Sequence, residues 1–278
     1  MREQWLSQLA DMLSAAVVEG VYPQGLKQLE ALSKRLARDK ASGELQAHVQ
    51  FQTIWAVWGL RSQDPKQDYA KVQDAWLKQL DAFAKTYPNS PDTAEALLQL
   101  GMAEEFAGRT EQAQAWYGKL AKDFPSTPRG RKASGAVRRL GSIGKPISFA
   151  ATGLDGSPVR LDQYRGKAVL IQYWATWCEP CKADMAQIKQ LYSRYAKRGF
   201  AVIGVNLDSE KASAEAYLKQ NPVPWKHAHD RGGLEGAVAT EMGVMTLPLM
   251  VLIDQKGNVV RRNVHVAELD GELRRLVR

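Results

Sequence analysis

The segment YWATWCEPCKADM, residues 173–185, holds two cysteines, and the chain of 278 residues has no others. Thiols separated by two residues can do one of two things. They can supply half of a zinc site, or they can open and close as a redox disulfide. Zinc in a structural site takes four ligands, and the only other soft candidates are four histidines. Of these, His227 and His229 alternate along a short extended segment and share a face, but they lie far from Cys178 along the chain. The dithiol is therefore favoured, and neither a metal nor another cofactor is expected. The motif falls where a strand gives way to a helix, which puts Cys178 at a helix N-terminus. Unpaired N–H groups and the helix dipole stabilise a thiolate there. Cys181 is one turn further in, close enough for a disulfide, and Pro180 suits the first turn of a helix. Glu179, between the cysteines, adds negative charge beside Cys178. It opposes thiolate formation somewhat, a tendency towards a reductant.

The elements that must hold this pair are legible on either side of it. AVLIQYWA (168–175) reads as a buried strand, CKADMAQIKQLYSRYAKR (181–198) has helical period, and FAVIGVNLD (200–208) is a second strand. SEKASAEAYLKQ is a helix, LPLMVLID and KGNVVRR are strands about a turn, and VAELDGELRRLV is a final helix. Ahead of these, ISFAAT and PVRL flank Asp155-Gly156, a hairpin signal. Strand–helix–strand alternation predicts a central sheet with crossover helices over residues 147–278. GSIGKP, residues 141–146, reads as a linker.

Residues 1–140 follow a different grammar, helix after helix with no strand signal. Leu26, Leu29, Leu32 and Leu36 form one apolar stripe, and Trp76, Leu80 and Phe83 another. FAKTYPNSP (83–91) and LAKDFPSTP (120–128) match in register: a helix end, an aromatic, a proline stop and a capped restart. Self-similarity of this kind predicts stacked helical hairpins. Residues 94–127, with Leu97, Leu100, Gly101, Ala113, Tyr117 and Pro125, resemble the tetratricopeptide repeat, although Glu104 stands where that family usually has an aromatic. Such a half is either a spacer or a concave surface for a protein or peptide.

YWATWCEPCKADM together with TLPLMVLIDQKGNVV resembles the thioredoxin superfamily, and more narrowly the TlpA/ResA-type thiol–disulfide oxidoreductases. The lead-in GKPISFAATGLDGSPVRLDQYRGK matches that subgroup, which places a β-hairpin before the core. The resemblance implies Cys178 as nucleophile, Cys181 as resolving thiol, Trp177 shielding the pair, and Pro248, after Leu247, as a cis-proline that docks substrate backbone. Two positions depart from thioredoxin itself. Gln172 stands where thioredoxin has a buried aspartate, and Asp184, three residues after Cys181, occupies the place of a carboxylate used by TlpA/ResA relatives. The expected role of Asp184 is proton acceptor for the resolving thiol. The resemblance further implies protein disulfides as substrates, a membrane electron donor and an extracytoplasmic location.

Composition excludes several classes. The net charge of +8 is spread along the chain with one local cluster, Arg129, Arg131, Lys132, Arg138 and Arg139, expected to be a solvated helix face. No nucleic-acid-binding module accompanies it, so no nucleic acid is expected. No apolar run approaches the roughly 18 to 20 residues of a membrane span, and the first twenty residues, with Glu3 and Asp11, do not read as a signal peptide. A thiol peroxidase is disfavoured, because TWCEPC lacks the threonine-rich signature of that class. The competing function is a binding protein that acts through the helical repeats and uses the thioredoxin fold as a platform.

Overall fold

The computed structural model describes residues 2–277. It divides into two compact units between Phe124 and Pro125. Each is described by itself.

The first unit is all helix: α1 (Arg2–Val18), α2 (Gly25–Arg38), α3 (Gly43–Ser62), α4 (Tyr69–Thr86), α5 (Pro91–Phe106) and α6 (Thr110–Asp123). Its boundaries are where local chemistry puts them. Ser42 Oγ accepts from Leu45 N, Asp68 from Ala70 N and Lys71 N, and Ser90 from Asp92 N, with Pro91 in the first turn of α5. Leu29 and Leu36 of the leucine stripe are buried with Leu13, Val17 and Val49, while Leu26 and Leu32 pack at its edge. Trp76, Leu80 and Phe83 are buried against Phe51 and Ile54. Gly101 is required by packing: a Cβ there would lie 2.5 Å from the Tyr117 ring.

The second unit carries helix α7 (Pro128–Leu140), which the sequence groups with the helical half. Here it packs on the short helix α10 (Ala237–Glu241). The approach is backbone to backbone. A Cβ on Gly135 would sit 2.2 Å from the Thr240 carbonyl, and one on Gly243 2.0 Å from Ala136 N. The basic cluster on α7 is correspondingly not a uniform solvated face. Lys132 and Arg139 are buried. Arg139 donates to the carbonyls of Met242 and Gly243, which follow α10, and Lys132 pairs with Glu235 at 2.9 Å. A cation at a helix C-terminus satisfies carbonyls that the helix leaves open. Residues 141–146 are not a free linker either. Gly144 N donates to Val259 O, and Val259 N donates to Lys145 O.

The core is a sheet of five strands in the order β5-β4-β3-β6-β7: β3 (Ala168–Trp174), β4 (Phe200–Asn206), β5 (Lys226–His229), β6 (Leu249–Ile253) and β7 (Val259–Arg261). β3, β4 and β5 are parallel, and β6 and β7 run antiparallel to their neighbours. A hairpin of β1 (Ala150–Thr152) and β2 (Pro158–Arg160) precedes it, as expected. All seven residues of β3 are buried. Ala168, Leu170 and Trp174 face one core with helices α8 (Glu179–Tyr195) and α11 (Val266–Leu276), and Val169, Ile171 and Tyr173 face the other. Helix α9 (Lys211–Gln220) links β4 to β5.

One polar contact ties three helices of the first unit. His48 on α3 has Nε2 2.9 Å from Asp11 of α1 and Nδ1 3.1 Å from Asp92 of α5. Carboxylates only accept, so both ring nitrogens donate and the ring is an imidazolium. The hydrogen bond to Asp92, opposed by burial and aided by both charges, raises His48 above its ordinary 6.5. A raised folded value stabilises the fold fully below about pH 6.5 and is lost as pH climbs through the folded midpoint. We expect wild type to be more stable than His48→Asn by about 1 kcal/mol at pH 5.5, with the gap closing towards pH 9. Urea denaturation followed by hydrogen exchange in α3 measures it; a gap that widens with pH would refute the assignment.

Candidate active site

β3 ends at Trp174, and three residues later the chain enters α8 with Cys178 as its N-cap. Cys178 N donates to Ala175 O at 3.1 Å, and Cys178 O accepts the first helical bond from Lys182 N. Pro180 sits in the first turn, where a missing N–H costs nothing. The cysteines are joined as a disulfide, Cα atoms 5.3 Å apart. Cys181 N donates to Cys178 Sγ at 3.3 Å. Cys181 is completely buried, whereas Cys178 retains 5% exposure. Beside it Trp177 is exposed, at 58%.

The other expected residues gather at the same end of the sheet. Tyr173 pairs with Leu249, so Leu247 and Pro248 come where β3 gives out. The Leu247–Pro248 bond is cis. Leu247 packs against the core cluster that contains both cysteines. Glu179 points into solvent and pairs with Lys182 at 2.5 Å. Gln172 is fully buried, and its Nε2 donates to Cys181 O at 3.2 Å, leaving its Oε1 without a partner. Asp184 is half-buried on α8, one turn beyond Cys181. Burial pushes its carboxyl above the usual range, with His265 pulling weakly the other way.

A dithiol seated at a helix N-terminus, with Cys181 completely enclosed and Cys178 keeping a trace of exposure beside the exposed Trp177, can exchange disulfides. The comparisons agree. Residues 139–276 match the Redoxin family. The thiol-disulfide oxidoreductase ResA of Bacillus thuringiensis subsp. konkukian is 32% identical over 120 residues, 43% of this chain and 68% of that protein. The chain belongs to the Redoxin family. It is a thiol–disulfide oxidoreductase of that family. ResA of Geobacillus kaustophilus is 35% identical over 111 residues, 40% of this chain and 62% of its own. Among solved structures, a putative thiol:disulfide interchange protein DsbE from Chlorobium tepidum is 33% identical over 42% of this chain and 79% of its own, with a TM-score of 0.38.

Around the dithiol of this Redoxin-family oxidoreductase the structure adds residues that sequence reasoning missed. Asp208 is buried, and its carboxylate accepts from Thr176 N at 3.1 Å to each oxygen, from Thr176 Oγ1 at 2.7 Å and from Asn206 Nδ2 at 2.6 Å. The available signal was Asn-Leu-Asp closing an otherwise apolar strand. Two polar residues at that point need partners: Asn206 finds its partner in Asp208, and Asp208 in Thr176 on the loop to Cys178. The histidines also have separate places. His229 Nε2 donates to Asp208 O at 2.9 Å, while His227 is buried against Trp174, whose Nε1 donates to its Nδ1 at 3.1 Å. The indole only donates, so the His227 proton is on Nε2. Gly204 opposite makes room: a Cβ there would lie 2.1 Å from Nδ1.

Burial pushes His227 down to about 4. The unfolded chain takes up this proton near pH 6.5 and the folded chain does not, so acidification between 6.5 and 4 favours unfolding. The full loss is roughly 3 kcal/mol. We expect the ring proton resonances of His227 to stay at their neutral positions down to pH 5, and His227→Gln to be less acid-sensitive in this window. A His227 midpoint near 6.5 by NMR would contradict the burial argument.

Proposed function

We propose that the chain reduces disulfides in protein partners through Cys178 and Cys181. The observation that carries this reading is the asymmetry of the pair, with Cys181 completely enclosed within α8 and Cys178, its N-cap, keeping a trace of exposure beside the exposed Trp177. Cys178, as thiolate, attacks one sulfur of the partner's disulfide. A mixed disulfide forms and the partner's other sulfur leaves as a thiolate. Cys181 gives up its proton and attacks Cys178 Sγ, releasing the partner's second thiolate. Two electrons pass to the partner, and the chain is left with the disulfide seen here. A dithiol donor then resets the pair. By analogy with the family it is a membrane electron donor on the extracytoplasmic side; no helix among the described residues is long and apolar enough to cross a membrane.

Asp184 takes the proton of Cys181. A thiol in apolar surroundings resists ionising, and a half-buried carboxyl whose affinity for protons is raised by burial is suited to receive its proton. Gln172, an amide, cannot. The exposed Trp177 and the Leu247–Pro248 segment flank the disulfide and supply an apolar and a backbone contact for the partner chain. The helical unit offers a second contact. A groove of about 600 Å³ on it is lined by Glu30, Ser33, Lys34, Gln50, Thr53 and Gln79 among others, groups that suit an extended polypeptide.

Two experiments test the reading. In insulin reduction with dithiothreitol, Cys178→Ser should be inactive, while Cys181→Ser should accumulate lasting mixed disulfides through Cys178. Preferential alkylation of Cys181 in the reduced protein would reverse the assignment. Asp184→Asn should slow resolution of the mixed disulfide by roughly tenfold to a hundredfold and leave the initial attack nearly unchanged. Stopped-flow measurements across pH separate the two steps; equal resolution rates at pH 7 would make Asp184 an ordinary surface acid.

A further inference from the structure

The buried carboxylate of Asp208 accepts four hydrogen bonds from three donors and, among the described residues, pairs with no cation. Burying a charge without a counter-ion is costly, and hydrogen bonds offset only part of that cost. The donors are unevenly distributed. Two of the three belong to Thr176, two residues before Cys178, whose N–H is shared between both oxygens, and the third is Asn206 Nδ2–H. The backbone follows the same path: Leu207 N donates to Trp174 O, and Asp230 N to Asn206 O. The ends of β3, β4 and β5 are thereby latched to one another, and the negative charge sits inside the latch.

The other charged groups around Cys178 are differently placed. Glu179 is 81% exposed and paired with Lys182, so water and the ammonium screen it. Lys182 also lies 6.0 Å over the Tyr217 ring of α9. Asp184 is half-buried a turn beyond Cys181, and His265, at the start of α11, is exposed and acts on Asp184. His229 on β5 is held by the Asp208 carbonyl, and Glu210, two residues after Asp208, is exposed. Asp208 is therefore the acidic group of this neighbourhood that combines burial with a direct tie to the loop bearing Cys178.

We propose that Asp208 is the positioning and tuning residue of the redox site: it fixes the Thr176–Cys178 loop, and its buried charge, which no cation offsets, opposes negative charge on the Cys178 sulfur. A thiolate disfavoured in this way destabilises the reduced pair and makes it the better electron donor. The N-terminus of α8 pulls in the opposite direction, and Thr176 sets the balance by drawing charge density on Asp208 towards its own N–H and hydroxyl.

This inference rests on Cys178 being the attacking thiol, and its test reads each cysteine separately. The reduced full-length chain is alkylated with iodoacetamide between pH 4 and 9, and each modified cysteine is identified by mass spectrometry. Asp208→Asn removes the charge and keeps the shape, so the Cys178 midpoint should fall by about one pH unit or more. Thr176→Val removes a donor and leaves the charge less spread, so the midpoint should rise. A purely structural role would loosen the loop in both variants and move both midpoints the same way; that result, or no shift in either, overturns the proposal. Should Asp208→Asn fail to fold by circular dichroism, Thr176→Val decides alone, an upward shift supporting the proposal and an unmoved or lowered midpoint overturning it. Wild type labelled faster at Cys181 would overturn the proposed function as well, whereas an unshifted Cys178 overturns only the role of Asp208.

Discussion

The burial of β3 on both faces is the constraint from which the rest follows. Its seven residues are enclosed, with β4 on one side, β6 on the other and a separate apolar cluster above and below. A strand held in this way cannot slip by a residue without turning every core side chain to the wrong face. Its end at Trp174 is therefore a fixed point. The chain has three residues in which to leave it before Cys178 caps α8, and the latch of Thr176 and Asp208 fixes them. The dithiol owes its place to the sheet, and only secondarily to its own geometry.

Acidic groups near the pair differ in weight because they differ in exposure. From sequence alone Glu179 is the obvious modulator, since it lies between the cysteines. In the fold it is turned to solvent and neutralised by Lys182, and such a pair contributes little. Asp184 is partly removed from water, which raises its affinity for a proton and suits it to exchange one. Asp208 is buried and held by donors of Thr176 and Asn206, which suits it to fix the loop that leads to Cys178. Three carboxyl groups within one neighbourhood thus divide into a screened, an exchanging and a fixed one, and burial sets the order.

What was legible in the sequence was local. The buried apolar run of β3, the period of the helix after it, the Asp-Gly hairpin and the two-residue cysteine spacing all depend on near neighbours, and each lies where it was expected. Asp208 was hidden in a run read simply as a strand, because its partners are 32 residues earlier in the chain. Arg139 was read as part of a solvated face for the same reason: the carbonyls that bury it belong to residues 242 and 243. A charged side chain reveals its burial only when its partner is known.

Helix α7 makes the distinction sharpest. FAKTYPNSP and LAKDFPSTP are the same punctuation, and the fold realises both as an aromatic C-cap, a proline and a hydroxyl cap before a new helix. The helices that follow nevertheless join different cores. α5 presents Leu97, Leu100 and Gly101, a face with a notch into which Tyr117 of α6 fits. α7 presents Gly135 and Ala136, flat enough for the backbone of α10 to approach, with Arg139 one turn on to meet the carbonyls of Met242 and Gly243 that follow it. Identical turns can start either helix, since a turn fixes direction and register for only a few residues. The choice of core lies in the size of the side chains on the next two turns, where glycine and alanine admit a backbone and leucine does not.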